Sequence, residues 1–153
     1  IASAAGLRIQ PMTSLFAGPG KSTLITEREI LTGFYLPLKQ AHQGSAFSRI
    51  MRPQGVALPV LNLAVWLERD GEVVKDIRMA YGPSGPVPVR ALQVEAALRG
   101  QRYGAESLAQ AKAAIHDSIR FRSSPQRASA EYRHLLSEDL LDDVMGKAWE
   151  RAI

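Results

Sequence analysis

The sequence predicts an α+β fold in which a small antiparallel sheet of three to four strands packs with about three helices. Two observations lead to this prediction. The pair Asp70-Gly71 separates two runs rich in β-branched and other apolar residues, which is a strong signal for a β-hairpin. The second half of the chain then carries three segments whose apolar residues recur at helical spacing. With 153 residues, 46% of them hydrophobic, the chain is long enough for one globular domain and a fragment of a second.

The sheet is predicted from three runs, at residues 47–51, 57–68 and 73–81. Within the middle run, residues 58–67 are apolar at every position except Asn62. A strand of this kind is covered on both faces, or on one face by the core and on the other by a partner surface. The sequence leaves both arrangements open.

Three helices are predicted over residues 90–99, 105–119 and 129–152. The first ends at Gly100, and glycine is typical just after the end of a helix. The last carries a continuous apolar stripe at three-and-four spacing. The stripe consists of Tyr132, Leu135, Leu136, Leu140, Val144, Met145, Ala148 and Trp149.

The beginning of the chain is predicted as strand pieces and loops. Apolar runs at residues 7–10 and 30–36 indicate short strands, and the turn-rich residues 17–20 lie between them. Thr26 and Glu29 have the spacing of a capping box, which indicates one helical turn.

A change in composition predicts a domain boundary at the polar stretch over residues 39–45. Residues 1–40 have the pattern of strands and turns, whereas residues 41–153 have the more regular pattern of the sheet and helices. The chain also begins with Ile1 and not with Met. We therefore expect it to be a fragment of a longer polypeptide, in which the active site need not be complete.

The composition excludes several classes of function. The chain has no Cys, which rules out disulfides, thiolate metal sites, cysteine nucleophiles and any iron–sulfur cluster held by this chain. The net charge of +4 and the sequence pI of about 9.7 are mildly basic, but the positive residues are scattered, whereas nucleic-acid and membrane-surface modules gather them into a patch. No run reaches 18 apolar residues, and no signal peptide is recognisable. We therefore expect neither nucleic acid nor a membrane among the partners.

Two glycine-containing segments are similar to catalytic motifs without completing them. Residues 18–23, Gly-Pro-Gly-Lys-Ser-Thr, are similar to the end of a phosphate-binding loop, but Leu15 stands where that motif requires Gly, and Pro19 lacks an amide donor. Residues 82–86 are similar to a nucleophile elbow, except that Pro86 stands at a required Gly. A plain turn is the favoured interpretation of both.

Histidines and acidic residues on the predicted helices give one weak metal pattern. His134, Glu138 and Asp142 are spaced to lie on one face of the last helix, as metal ligands often are. They share the helix with other acidic residues and lie beside its apolar stripe, so solvated polar side chains are the favoured interpretation. His116, in the second helix, is expected to be structural.

Four basic residues fall on the predicted sheet. Lys75 and Arg78 belong to one strand, while Arg49 and Arg52 belong to another strand and its end. They either place positive charge on one region of the sheet or simply face solvent. Taken alone, composition and spacing lead only to an α+β domain with no self-contained catalytic centre.

The order of several segments resembles a known family. The segments are Ser45-Ala46-Phe47, Arg52, Asp70-Gly71 and residues 74–82, 88–91, 96–100 and 129–133. Together they resemble the C-terminal domain of the FAD-binding (medium) subunit of molybdenum hydroxylases, the xanthine dehydrogenase and carbon monoxide dehydrogenase flavoprotein family. The preceding part looks like the tail of that family's FAD-binding domain. The resemblance thus assigns residues 1–40 to that tail and residues 41–153 to the flavoprotein C-terminal domain.

The resemblance implies a part of an oxidoreductase flavoprotein subunit that is not catalytic in isolation. In such enzymes, substrate is hydroxylated at a molybdopterin centre and electrons pass through iron–sulfur clusters to FAD. The family binds FAD with glycine-rich loops upstream of Ile1, so FAD belongs to the full-length subunit and this chain is not expected to retain it. The C-terminal domain helps to cover the flavin and docks an iron–sulfur subunit and a molybdopterin subunit, in the cytoplasm.

The resemblance also implies two cofactor-binding residues, and no catalytic or metal-binding residue. Lys75 occupies a position where some family members carry a lysine near the flavin, and a cation there would stabilise negative charge on the reduced ring. Arg52 matches a common family arginine at the start of the sheet. An alternative from a different class is a stand-alone protein-interaction domain without cofactor, while a basic nucleic-acid module rests on the pI alone.

Overall fold

The computed structural model describes residues 1–51 and 58–153. The strands are β1 (Ala2–Ser3), β2 (Gly6–Leu7), β3 (Phe16–Gly18), β4 (Lys21–Ser22), β5 (Glu29–Ile30), β6 (Gln43–Met51), β7 (Pro59–Asp70), β8 (Val73–Gly82) and β9 (Val89–Arg90). The helices are α1 (Leu92–Leu98), α2 (Ala105–Ser118) and α3 (Ala130–Arg151), and a 3₁₀ turn spans Met12–Leu15. The predicted α+β fold is confirmed.

The main sheet is antiparallel, with the strand order β6–β7–β8–β9. Gly71 and Glu72 form the two-residue loop that joins β7 to β8, as the Asp-Gly signal predicts. Gly71 has a φ of +56°, a left-handed conformation that tight hairpin loops use and that glycine adopts without steric cost. The edge strand β9 is not predicted from the sequence, because it pairs with β8 through only two residue pairs.

The three predicted helices are all present, with ends that differ from the predicted ones by two residues at most. α3 begins after Ser129, whose Oγ accepts a hydrogen bond from the Tyr132 amide at 3.1 Å. This N-cap provides an acceptor for an amide that the first turn would otherwise leave unpaired. α3 packs across β6 and β7, whereas α1 packs on β8 and against α2. None of the helices in the described part of the chain is both long enough and apolar enough to cross a membrane.

The hydrophobic core lies between one face of the main sheet and the helices. The β7 residues on this face are Leu61, Leu63, Val65 and Leu67, and none is more than 3% exposed. The helices contribute Val94, Leu98, Ala111, Ile115, Leu141, Val144, Met145 and Ala148. Of the β7 residues that point to the other face, Ala64 is exposed and Trp66 is half-buried. Of the two arrangements left open by the sequence, helices therefore cover one face, and the other face is open in the described chain.

The beginning of the chain forms two small sheets without a core of its own. β1 lies between β2 and β5, and β3 pairs with β4. Leu15 is the only buried residue among residues 1–40, all of which the structure describes. Residues 18–23 form a hairpin turn with no helix after Lys21, and residues 83–86 form a turn after β8. Both glycine-containing segments are therefore turns, as expected.

The predicted strands of the first forty residues are wrong in extent. In the predicted run 7–10 only Leu7 belongs to a strand, the end of β2, and in the run 30–36 only Ile30 does, the end of β5. From residue 31 to residue 40 the chain has no regular structure. Apolar residues alone do not make a strand, since its backbone groups need a partner strand, and the described residues place none beside this segment.

The single turn predicted from the capping-box spacing forms, but it begins one residue earlier than predicted and without the capping box itself. The Ile25 carbonyl accepts hydrogen bonds from the amides of Arg28 and Glu29, at 2.9 and 2.8 Å, which makes one tight turn. The Glu29 carboxylate accepts from the Ile25 amide at 2.9 Å. The capping interaction is thus made four residues back, with Ile25 in the place predicted for Thr26.

Candidate functional site

The alternation of side chains along the strands gives the main sheet a second face that the helices leave uncovered. We refer to it as the open face. It consists of Ser45, Phe47 and Arg49 on β6, Asn62, Ala64 and Trp66 on β7, and Arg78 and Ala80 on β8. The strand register arranges these side chains in rows, because Ser45 is opposite Trp66 and Trp66 is opposite Arg78.

The open face combines aromatic rings with a guanidinium group. The Cζ atom of Arg78 lies 5.1 Å from the centre of the Trp66 ring, which is within the range of a cation–π contact. Phe47 is 58% exposed, and beside it the small Ala64 and Ala80 leave a shallow depression of about 580 Å³. An aromatic surface with positive charge suits a planar or anionic partner group.

Two further arginines stand at the edge of this depression. The Arg151 Nη1 atom, at the end of α3, donates a hydrogen bond to the Ser45 carbonyl at 2.9 Å. The Arg90 Nε atom donates to Glu95 Oε1 at 2.8 Å, and this hydrogen bond raises the pKa of Arg90. Both side chains are held in place at the edge of the depression, Arg151 by a backbone carbonyl and Arg90 by an ion pair with Glu95 that offsets its charge.

Lys75 lies at the hairpin end of the main sheet, in an ion pair. Its Nζ atom is 2.5 Å from Glu68 Oε1, and Gln43 Nε2 donates to the other oxygen of Glu68 at 3.2 Å. The hydrogen bond between the two side chains raises the pKa of Lys75 and lowers the pKa of Glu68. Near neutral pH this end of the sheet therefore carries an exposed ion pair in which the Lys75 ammonium and the Glu68 carboxylate are both charged.

The other predicted cofactor-binding residue, Arg52, lies outside the described residues. Met51, the last described residue before it, pairs with Pro59 at the end of β6 that is farthest from the hairpin. Along the strand, Met51 is about 27 Å from Gln43, which lies beside Lys75 and Glu68. Lys75 is thus brought together with two residues that the sequence analysis does not select.

Phe47 and Trp66 are residues of the open face that sequence reasoning does not select as binding residues. Within the apolar run of β7, nothing marks Trp66 as facing away from the core. Its orientation follows from the pairing register, which sets Trp66 opposite Ser45 and Arg78. Of the four basic residues predicted on the sheet, Arg49 and Arg78 do share the open face.

The predicted metal pattern on α3 is used for contacts between helices. The Glu138 Oε1 atom is 2.7 Å from His116 Nε2 on α2, and Asp142 Oδ2 is 2.6 Å from Lys112 Nζ. Over residues 1–51 and 58–153, no group of three or more His, Asp or Glu side chains is arranged to hold a metal ion. The favoured interpretation as ordinary polar residues agrees with these contacts.

Comparison with known proteins gives a family match over most of the chain. Residues 45–148 match the family model described as CO dehydrogenase flavoprotein C-terminal domain. The chain is 27% identical over 149 residues to the xanthine dehydrogenase FAD-binding subunit of Escherichia coli O157:H7, and the match covers 97% of this chain and 50% of that subunit. It is 24% identical over 143 residues to aldehyde oxidase 4 of Cavia porcellus, which covers 92% of this chain and 11% of that protein. The chain therefore spans half the length of the bacterial subunit.

Solved structures share the fold. The chain matches carbon monoxide dehydrogenase from Hydrogenophaga pseudoflava with a TM-score of 0.81 and 22% identity, over 99% of this chain and 52% of that one. The TM-score is 0.83 at 21% identity for the enzyme from Oligotropha carboxidovorans, with the same two coverages. Quinoline 2-oxidoreductase from Pseudomonas putida 86 gives 0.77 at 22% identity, over 99% of this chain and 51% of that one. At these identities the likeness shows the fold.

Proposed function

Because the chain belongs to the CO dehydrogenase flavoprotein C-terminal domain family, we propose that it is the C-terminal part of the FAD-binding subunit of a molybdenum hydroxylase-type oxidoreductase. In this role it covers the flavin and docks partner subunits while electrons pass from iron–sulfur clusters to FAD. The partners are an iron–sulfur subunit and a molybdopterin subunit of the same cytoplasmic complex. The match over residues 45–148 carries the proposal, and the related FAD-binding subunit of Escherichia coli supports it.

The first forty residues are proposed to be the end of the FAD-binding domain, and residues 41–153 the C-terminal domain. In residues 1–40 only Leu15 is buried, which is too little for an independent core. The large apolar side chains exposed there are Leu7, Ile9, Met12, Ile25, Ile30, Leu31, Phe34, Tyr35, Leu36 and Leu38. An exposed apolar surface of this kind marks a contact with further protein, and the rest of the FAD-binding domain is the partner that we propose for it.

The open face is the surface that we propose for the flavin side of the domain. An isoalloxazine ring is flat and aromatic, so it can stack on exposed rings such as Phe47 and on the guanidinium plane of Arg78. When the flavin is reduced, negative charge collects at its pyrimidine end, where a nearby cation stabilises it. Lys75 remains the cation that we propose for this end, and Arg52 remains our other proposed cofactor-binding residue.

A flavin titration tests the proposed function. FAD fluorescence and the visible spectrum would be followed for this chain and for a version extended upstream to the length of the related subunits. We expect the extended protein to bind FAD and this chain to bind it weakly or not at all. Failure of both to bind FAD would overturn the proposal and favour the stand-alone interaction domain. Full binding by the 153-residue chain alone would contradict the assignment of the FAD-gripping loops to the upstream part.

A substitution of Lys75 tests its proposed role in the extended protein. We expect Lys75→Gln to weaken binding of reduced FAD by roughly two- to fivefold, the range for an exposed charge pair, with a smaller effect on oxidised FAD. Lys147→Gln is a matched control, because Lys147 also forms an exposed ion pair, at 2.7 Å from Asp143. If the two substitutions changed the binding of reduced FAD equally, Lys75 would have no role beyond its surface ion pair.

A further inference from the structure

Two histidines from different helices stack where α2 meets α3. The ring centres of His116 and His134 are 5.0 Å apart and their planes differ by 18°. The ring of Phe121, three residues after the end of α2, meets the His134 ring edge to face at 4.8 Å. His134 therefore has aromatic neighbours from α2 and from the segment that follows it.

The two imidazoles differ in their hydrogen bonds. His116 Nε2 lies 2.7 Å from Glu138 Oε1, so this nitrogen has an acceptor for its proton. His134 Nδ1 is buried and has no hydrogen-bond partner in the described chain. A neutral imidazole can leave one nitrogen without a proton, but both nitrogens carry one in the charged form. Protonation of His134 would thus bury an N–H group without an acceptor, which is costly.

The charges around the pair oppose a proton on His134. The titratable and charged groups nearby are Arg120 after α2, Glu138 and Arg133 on α3, and Tyr81 on β8, which contacts Phe121. The Lys112–Asp142 pair lies one turn before His116 on α2 and one turn after Glu138 on α3. The carboxylate that contacts the pair, Glu138, is already engaged by His116. Burial, together with His116 and Arg120, lowers the pKa of His134.

We propose that the stacked His116–His134 pair is a proton-sensitive contact that holds the C-terminal end of α2 against α3 and loosens as the pH falls. The unfolded chain accepts a proton on His134 near pH 6.5, whereas the folded chain resists it. The contribution of the neutral His134 to the free energy of unfolding is therefore fully present above about pH 6.5. It decreases as the pH falls from about 6.5 towards the lowered pKa, and it is absent below that pKa. Phe121 also meets Tyr81 of the main sheet, with ring centres 6.1 Å apart, so the loosened contact reaches the core.

The titration of the histidines themselves tests the proposal without any substitution. Imidazole NMR signals of the 153-residue chain would be followed from pH 8 to pH 5. We expect His134 to titrate below about pH 6.5, the ordinary pKa of a histidine side chain. We also expect the amide of Ile119, which ends α2 by bonding to the Ile115 carbonyl at 2.9 Å, to lose exchange protection on acidification. Titration of His134 at or above about pH 6.5 would overturn the proposal.

A pair of variants tests the effect on stability. Between pH 7.5 and pH 5.5, the folding equilibrium constant of the natural chain should fall by up to about tenfold, the limit for one group whose unfolded pKa is about 6.5. His134→Gln should remove this loss, whereas the control His42→Asn should retain it. His42 has a φ of +62°, a conformation that Asn tolerates well. The same loss in His134→Gln as in the natural chain would assign the pH dependence elsewhere and overturn the proposal.

Discussion

Replacing Gly44 by Ala is expected to detach α3 from the main sheet and to lower the free energy of unfolding by about 3 kcal/mol or more. A Cβ atom added at Gly44 would lie 2.0 Å from the Ala148 carbonyl oxygen and 2.8 Å from the Ala152 amide nitrogen. Both are backbone atoms, so no change of rotamer can move them away. α3 crosses β6 so closely at this point that the whole end of the helix would have to shift.

Urea unfolding followed by tryptophan fluorescence would measure this effect. Trp149 on α3 stacks on Tyr103 with ring centres 4.5 Å apart, so its emission reports whether the helix is docked. Gly33→Ala is the matched control, because no heavy atom lies within 4 Å of the added Cβ and the free energy of unfolding should change by less than about 0.5 kcal/mol. Equal unfolding curves for the two variants would contradict the prediction.

The elements that could be predicted from the sequence are those with a local signal. Asp70-Gly71 specifies a hairpin loop within a few residues, and the apolar stripe of α3 specifies a helix with one buried face. β9 has no such signal, because two residues become a strand only when β8 is beside them. The same dependence on a partner explains residues 31–36, which are apolar enough for a strand but have no strand beside them in the described chain.

The candidate site is less predictable, because it depends on register and not on local pattern. Trp66 and Arg78 are twelve residues apart in sequence and meet because β7 and β8 pair at that register. A shift of one residue in this pairing would place the two side chains on opposite faces of the sheet. The family resemblance selects Lys75. Its ion pair with Glu68 follows from a bulge in the pairing of β7 with β8. The amino-acid composition reveals neither the contact of Arg78 with Trp66 nor the ion pair of Lys75 with Glu68.

Glu95 is a buried carboxylate at the edge of the main sheet, where β9 ends. It is 1% exposed, accepts from the Met79 amide at 2.8 Å and from Arg90 Nε at 2.8 Å, and lies 3.7 Å from Arg99 Nη2. β9 pairs with β8 at only two residues, beyond Met79. The carboxylate therefore acts as the acceptor that a longer edge strand would provide.

We expect Glu95→Ala to lower the free energy of unfolding by about 2–3 kcal/mol, because it leaves the buried Met79 amide without an acceptor and the partly exposed Arg90 without its counter-charge. Glu72→Ala is the control, since the Glu72–Arg102 pair at 2.5 Å is exposed on both sides and such pairs contribute at most about 1 kcal/mol. Urea unfolding of both variants at pH 7 would measure the difference. Comparable losses would mean that the carboxylate contributes no more than a surface charge. Because Arg90 also lines the depression of the open face, the same substitution should free that guanidinium from its fixed place at the candidate site.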